Sequence, residues 1–219
     1  EFYTPRPLIK VLINLIQPKI GDKILDPACG TGGFLVEAFN NLKSKIKTTS
    51  ELNKIKSCMF GFEAKNLPYL LCSMNLFLNG IYANKIDPGN ALRFPLNEIG
   101  EKDKFEIILS NPPFGGEEEA GVLGNFPPDK RSKESVVLFI QLILRRLKKN
   151  GKAIIIVPNT TMFYPDVHIK IRKDLVEAGL HTILRLPKGV FEPYTDIETN
   201  VLIIEKKTEF EDILFYQHL

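Results

Sequence analysis

Cysteine is scarce in these 219 residues. Cys29, Cys58 and Cys72 form an odd set without a Cys-x-x-Cys spacing, which argues against both a disulfide framework and a zinc site. Histidine is as sparse, and His168, His181 and His218 share no spacing with carboxylates or cysteines that would hold a metal ion. No apolar run approaches the roughly 20 residues of a membrane-spanning helix, and no cationic, apolar, small-residue signal opens the chain. A reducing, cytoplasmic setting with no membrane partner is expected. An excess of charge is lacking too: 29 Lys and Arg against 26 Asp and Glu leave a formal net charge of +3, too little to mark a nucleic-acid binder by charge alone. Any basic surface must be local. The first residue is Glu1 rather than Met, and "EFYTPRP" reads as the middle of something, so residues 1–219 are expected to be a single domain excised from a longer subunit.

What is present is an alternation of strand and helix signals. After Pro7, Leu8, Val11, Leu12, Leu15 and Ile16 share one helical face as far as Pro18. Strand signals follow at 22–26, 58–63, 85–92 (the weakest), 104–111, 152–158, 180–187 and 199–207, with helices expected over 34–42, 66–80, 134–149 and 166–178. This pattern predicts an α/β fold: a doubly wound, mainly parallel, seven-stranded sheet with helices on both faces. The last two strands lack an intervening helix, so an antiparallel pair is expected at an edge. Residues 43–57 read as a polar surface loop or a lengthened helix end. Residues 116–133 read as a long exposed loop with a functional reason for its length.

Three strand ends carry the chemistry. "DPACGTGG" (26–33) puts glycines where a strand turns into a helix, so that backbone and unpaired N–H groups can approach a ligand. The spacing matches neither Gly-x-Gly-x-x-Gly nor a phosphate loop with its Gly-Lys-Ser/Thr, and Asp26 prefers an ammonium or hydroxyl groups to a phosphate. Glu63 ends the second strand, where an acid can grip both ribose hydroxyls. "NPPF" (111–114) stops a buried strand, because proline cannot continue it. Asn111 then stands at a carboxyl end, where ligands collect in open sheets. Cys29, inside the glycine loop, reads as a small packed residue. "RRLKKNGK" (145–152) reads as cations serving a helix carboxyl end. Lys130, Arg131 and Lys133 are better placed as phosphate contacts.

Taken together, "FYTPR", "DPACGTGG", "FE" and "NPPF", in this order, resemble the amino-methylating DNA methyltransferases of the class I fold. The forms "FYTPRP" and "DPACGTGGF" and the late "LPKGVF…TNVLIIEK" look most like modification subunits of type I restriction–modification systems. The resemblance runs from Phe2 to about Lys207. It implies methyl transfer from S-adenosylmethionine to adenine N6 in DNA, by a subunit that takes its sequence recognition from a separate specificity subunit and works with a restriction subunit. It also implies roles. Thr4 would meet the methionine carboxylate; Asp26, Gly30 and Gly32 would hold the methionine moiety; Glu63 would hold the ribose, and Asn90 the cofactor's adenine. The Asn111 side-chain oxygen and the Pro112 carbonyl would accept from the target amino group. Phe114 would stack on the flipped base, with Phe191 as a second wall. Two alternatives stay open: the same fold acting on a protein glutamine, a guanine amine in RNA or cytosine N4, or a non-catalytic assembly module with a vestigial cofactor site.

Overall fold

The computed structural model describes residues 3–207 and 212–217; Glu1, Phe2 and His218 lie outside the described residues. The sheet has eight strands: β1 (Ile24–Asp26), β2 (Met59–Phe62), β3 (Ile86–Asp87), β4 (Phe105–Ser110), β5 (Leu147–Pro158), β6 (Leu180–Arg185), β7 (Thr199–Glu205) and β8 (Leu214–Gln217). Their spatial order is β3-β2-β1-β4-β5-β7-β6-β8. β1 pairs in parallel with both β2 and β4, so the chain reverses its direction of travel across the sheet between those two neighbours. The crevice at the carboxyl ends of β1 and β4 is the place such a reversal leaves open.

Side chains alternate across the pleat. Ile24, Ile107, Leu109, Ile154 and Ile156 belong to one core, which packs beneath α1 (Arg6–Ile16), α2 (Gly33–Lys43) and α4 (Asn66–Leu78). Leu25, Ile108, Ala153, Ile155 and Val157 belong to the other, beneath α6 (Ser135–Arg146) and α7 (Val167–Glu177). Adjacent residues of one strand thus serve opposite faces, and the doubly wound architecture is as expected.

β6 and β7 pair antiparallel, as their missing helix suggests. The reversed strand does not form the rim, however: β7 inserts between β5 and β6, and β8 adds an eighth strand parallel to β6. Insertion buries β7 on both sides, which suits its apolar "TNVLII" better than an exposed edge would. Residues 43–57 hold a further helix, α3 (Thr49–Lys56), started by a capping box in which the Thr48 hydroxyl accepts from Glu51 N–H while the Glu51 carboxylate accepts from Thr48 N–H. The Thr-x-x-Glu signature was readable in the sequence. At 145–152 the helix stops at Arg146 and Leu147 already pairs with Phe105, so ladder bonds take over from helical ones.

The segment 116–133 is not a free loop. It contains the short helix α5 (Ala120–Leu123), and it drives Phe126 into a core with Leu92, Ile99, Leu138 and Leu142. An isolated antiparallel bridge, Glu117 to Glu134, closes its root. Two of its cations are spoken for: Lys130 Nζ donates to both oxygens of Asp174 at 2.7 Å, and Arg131 Nε donates to the Phe126 carbonyl at 3.0 Å. Of the three expected phosphate contacts, Arg131 and Lys133 are exposed and Lys130 is half-buried.

Candidate active site

Two adjoining clefts open at the switch point, of about 330 and 290 Å³, and both are lined by Tyr3, Ala28, Gly30 and Asn111. The larger also takes Phe62, Glu63, Asn90, Pro112 and Glu118 into its wall. The smaller takes Thr4, Asp26, Thr31 and Asn75. Residues from the first helix approach, the glycine loop, the end of β2 and the end of β4 therefore converge, as the order of the motifs suggested.

Asp26 closes β1 and is buried. It accepts from Ala28 N–H at 3.1 Å and from the Ser110 hydroxyl at 3.3 Å, and among the described residues it forms no ion pair. Burial is the main reason its carboxyl is pushed up to about 7, with the nearby Glu63 adding to the rise. A buried carboxylate that lacks a cation is suited to receive one.

Glu63 straps the glycine loop to β2. Its Oε2 accepts from Gly30 N–H at 2.9 Å and its Oε1 from Lys65 N–H at 2.8 Å. The glycines of the loop divide their work. A Cβ at Gly30 (φ +54°) would meet nothing within 4 Å, and this residue fronts both clefts. A Cβ at Gly32 would instead lie 2.9 Å from Cys72 Sγ, and Gly32 lines neither cleft. Gly32 lets the loop pack against α4, with the second glycine of the loop turned inward at the start of α2 while the adjoining Gly33 lines the smaller cleft. Cys29 is buried with its sulfur 3.7 Å from Cys72 Sγ. Hydrogen bonding to Cys72, followed by burial, holds the Cys29 thiol well above its usual range, which suits a packed residue rather than a nucleophile.

Asn111 joins the two clefts. Its Nδ2 donates to Thr4 Oγ1 at 3.0 Å across 107 residues of chain, while its Oδ1 is buried and has no hydrogen-bond partner. A buried carbonyl oxygen without a donor costs about 1–3 kcal/mol, and such an orphan at a strand end is a place for a ligand's N–H. Pro112 is buried behind it.

Asn90 lines the larger cleft. Its Oδ1 accepts from Leu92 N–H at 2.9 Å and its Nδ2 donates to Glu118 Oε2 at 2.9 Å, so its amide links backbone to carboxylate. Phe114 and Phe191 come together edge to face, centroids 6.0 Å apart and planes at 89°. Both are buried in one core and neither lines a cleft. The exposed aromatic at the mouth is Tyr3, in an edge-to-face pair with Tyr194 at 5.7 Å. Tyr3 and Glu118 were missed in the sequence. Tyr3 lies inside the quoted "FYTPR", but nothing in the spacing of Glu118 ties it to the cleft. Among the described residues no cluster of His, Cys, Asp and Glu could hold a metal, and no helix is long and apolar enough to cross a membrane.

The family model described as N-6 DNA Methylase matches residues 1–219. The Escherichia coli type I restriction enzyme EcoEI methylase subunit is 44% identical over 221 residues, spanning 100% of this chain and 45% of that protein. A solved modification subunit, assigned to a type I restriction enzyme of Vibrio vulnificus YJ016, superposes with a TM-score of 0.92 at 48% identity, covering 99% of this chain and 47% of that one. The crystal structure of the type I restriction enzyme EcoKI M protein gives 0.86 at 29% identity over 99% and 48% of the two chains; EcoKI is an E. coli K12 enzyme. The chain thus spans less than half the length of these relatives. On the match of the family model over its whole length and the shared architecture, the chain belongs to the N-6 DNA methylase family.

Proposed function

We propose that residues 1–219 form the catalytic domain of a type I modification subunit and transfer a methyl group from S-adenosylmethionine to adenine N6 in DNA. The observation that carries this reading is the buried, unpartnered Asn111 Oδ1, fixed in orientation because the other end of its amide is held by Thr4. Adenine N6 is a weak nucleophile, since its lone pair is delocalised into the ring. Acceptors at the amino hydrogens draw the nitrogen toward a localised lone pair and aim it, and alignment of this kind contributes roughly 7–11 kcal/mol. Asn111 Oδ1 and the Pro112 carbonyl are assigned that role.

The residues present fit the cofactor. Asp26 lacks a cation, Gly30 leaves its side of the cleft open, and Glu63 stands where a ribose would lie. S-adenosylmethionine supplies the electrophilic methyl group when bound. Asp26 would hold its ammonium, Thr4 its carboxylate and Glu63 its ribose hydroxyls. Phe114 is assigned to the flipped base, which would enter by parting the Phe114–Phe191 pair. DNA, a specificity subunit and a restriction subunit are the partners this reading names, with the cytoplasm as the setting.

Mass spectrometry of DNA methylated by the assembled enzyme tests the reaction: N6-methyladenine is expected, and N4-methylcytosine or a methylated protein amide would refute it. The two glycines offer a separate check. Gly30→Val should abolish S-adenosylhomocysteine binding, as its side chain projects into the cleft, and should also lower Tm, because a φ of +54° strains a β-branched residue whatever the space. Gly32→Ala should chiefly lower Tm, because its Cβ meets Cys72 Sγ and overpacking costs about 1–3 kcal/mol.

A further inference from the structure

The root of the 116–133 segment brings a carboxylate to the wall of the larger cleft. Glu118 Oε1 accepts from the Ser135 hydroxyl at 2.8 Å, and its Oε2 accepts from Asn90 Nδ2 at 2.9 Å. Backbone bonds fix its position: Glu118 N–H donates to the Lys133 carbonyl at 2.8 Å and Ser135 N–H to the Gly116 carbonyl at 2.9 Å. Gly116 lies so close that a Cβ there would come within 2.8 Å of Ser135 Oγ. Ser135 is buried, and neither clamp is a cation, so among the described residues the Glu118 carboxylate is oriented without an ion pair. A carboxylate has about four acceptor positions, of which these contacts use two.

We propose that Glu118 selects the adenine ring of the cofactor by accepting a hydrogen bond from its exocyclic amino group, with Asn90 and Ser135 as the residues that position it. The inference rests on the reading of this cleft as the S-adenosylmethionine site. Asn90 Oδ1 already accepts from Leu92 N–H and Glu63 is placed for the ribose; of the two other carboxylates on this wall, Glu117 is exposed, whereas Glu118 is half-buried and held in orientation by Asn90 and Ser135. Discrimination follows from charge. An amino group donates to a carboxylate, whereas the carbonyl of hypoxanthine at the same place would set two acceptors against each other.

The test measures binding alone, by titration calorimetry of the full-length subunit with S-adenosylhomocysteine and its hypoxanthine counterpart, S-inosylhomocysteine. Wild type should prefer the adenine ligand roughly 10- to 100-fold, the worth of a charge-assisted hydrogen bond. Glu118→Gln, which can donate as well as accept, should bring the two affinities within about threefold. Ser135→Ala should fall between. Glu63→Gln should weaken both ligands alike and keep the preference. If Glu118→Gln retains the wild-type preference, or wild type shows none, the assignment of Glu118 is overturned and the cofactor site stands. If wild type binds neither ligand, the cofactor reading fails and this inference with it.

Discussion

Replacing Asn111 by Ala should lower the methylation rate by roughly two to three orders of magnitude, the usual cost of one preorganised polar contact at a reacting group, while the Kd for S-adenosylhomocysteine changes little. The separation follows from the geometry. The Asn111 amide donates to Thr4, in the wall of the smaller cleft, from one end and carries the unpartnered Oδ1 at the other. In the proposed mechanism, loss of that oxygen would remove an interaction made in the chemical step, so kcat and kcat/KM should fall together. Asn111→Asp is a sharper variant, because it keeps an acceptor but turns the contact with Thr4 Oγ1 from donation into acceptance. Single-turnover methylation beside calorimetry would check both. Methylation by Asn111→Ala at the wild-type rate would remove the residue from the mechanism.

Cofactor affinity should climb with pH, about tenfold per unit, until it levels near pH 7, where Asp26 becomes ionised. In the unfolded chain this carboxyl titrates near 3.8, and in the folded chain near 7. Between those values the folded state binds more protons than the unfolded one. Stability contributed by Asp26 therefore falls as pH rises from about 4 to about 7, by an amount on the order of 4 kcal/mol, and is flat outside that window. An ammonium group placed against Asp26 reverses the preference: it stabilises the carboxylate, so binding at pH 6 should release close to one proton. Calorimetry of S-adenosylhomocysteine in two buffers of different ionisation enthalpy reads that proton directly. Asp26→Asn should bind weakly at every pH, without the proton release. Proton release by Asp26→Asn equal to that of wild type would assign the titration to another group.

Where an element's signal is local, the sequence by itself determined it. The short apolar run ahead of Asn111 marked β4 as a buried strand, and Pro112 and Pro113 fixed where it had to stop. The motif order likewise put Thr4, Asp26, Glu63 and Asn111 around one crevice, since strand ends in a doubly wound sheet share an edge. Tertiary structure decided whatever depended on a partner far along the chain. Gly32 faces Cys72 instead of the cleft, Asn90 spends its amide on Leu92 and Glu118, Phe114 closes on Phe191, and β7 slips between β5 and β6. The reason is physical: pleat period and turn chemistry are written in neighbouring residues, whereas the direction in which a side chain is spent depends on which distant surface must be filled without voids or unpaired polar groups.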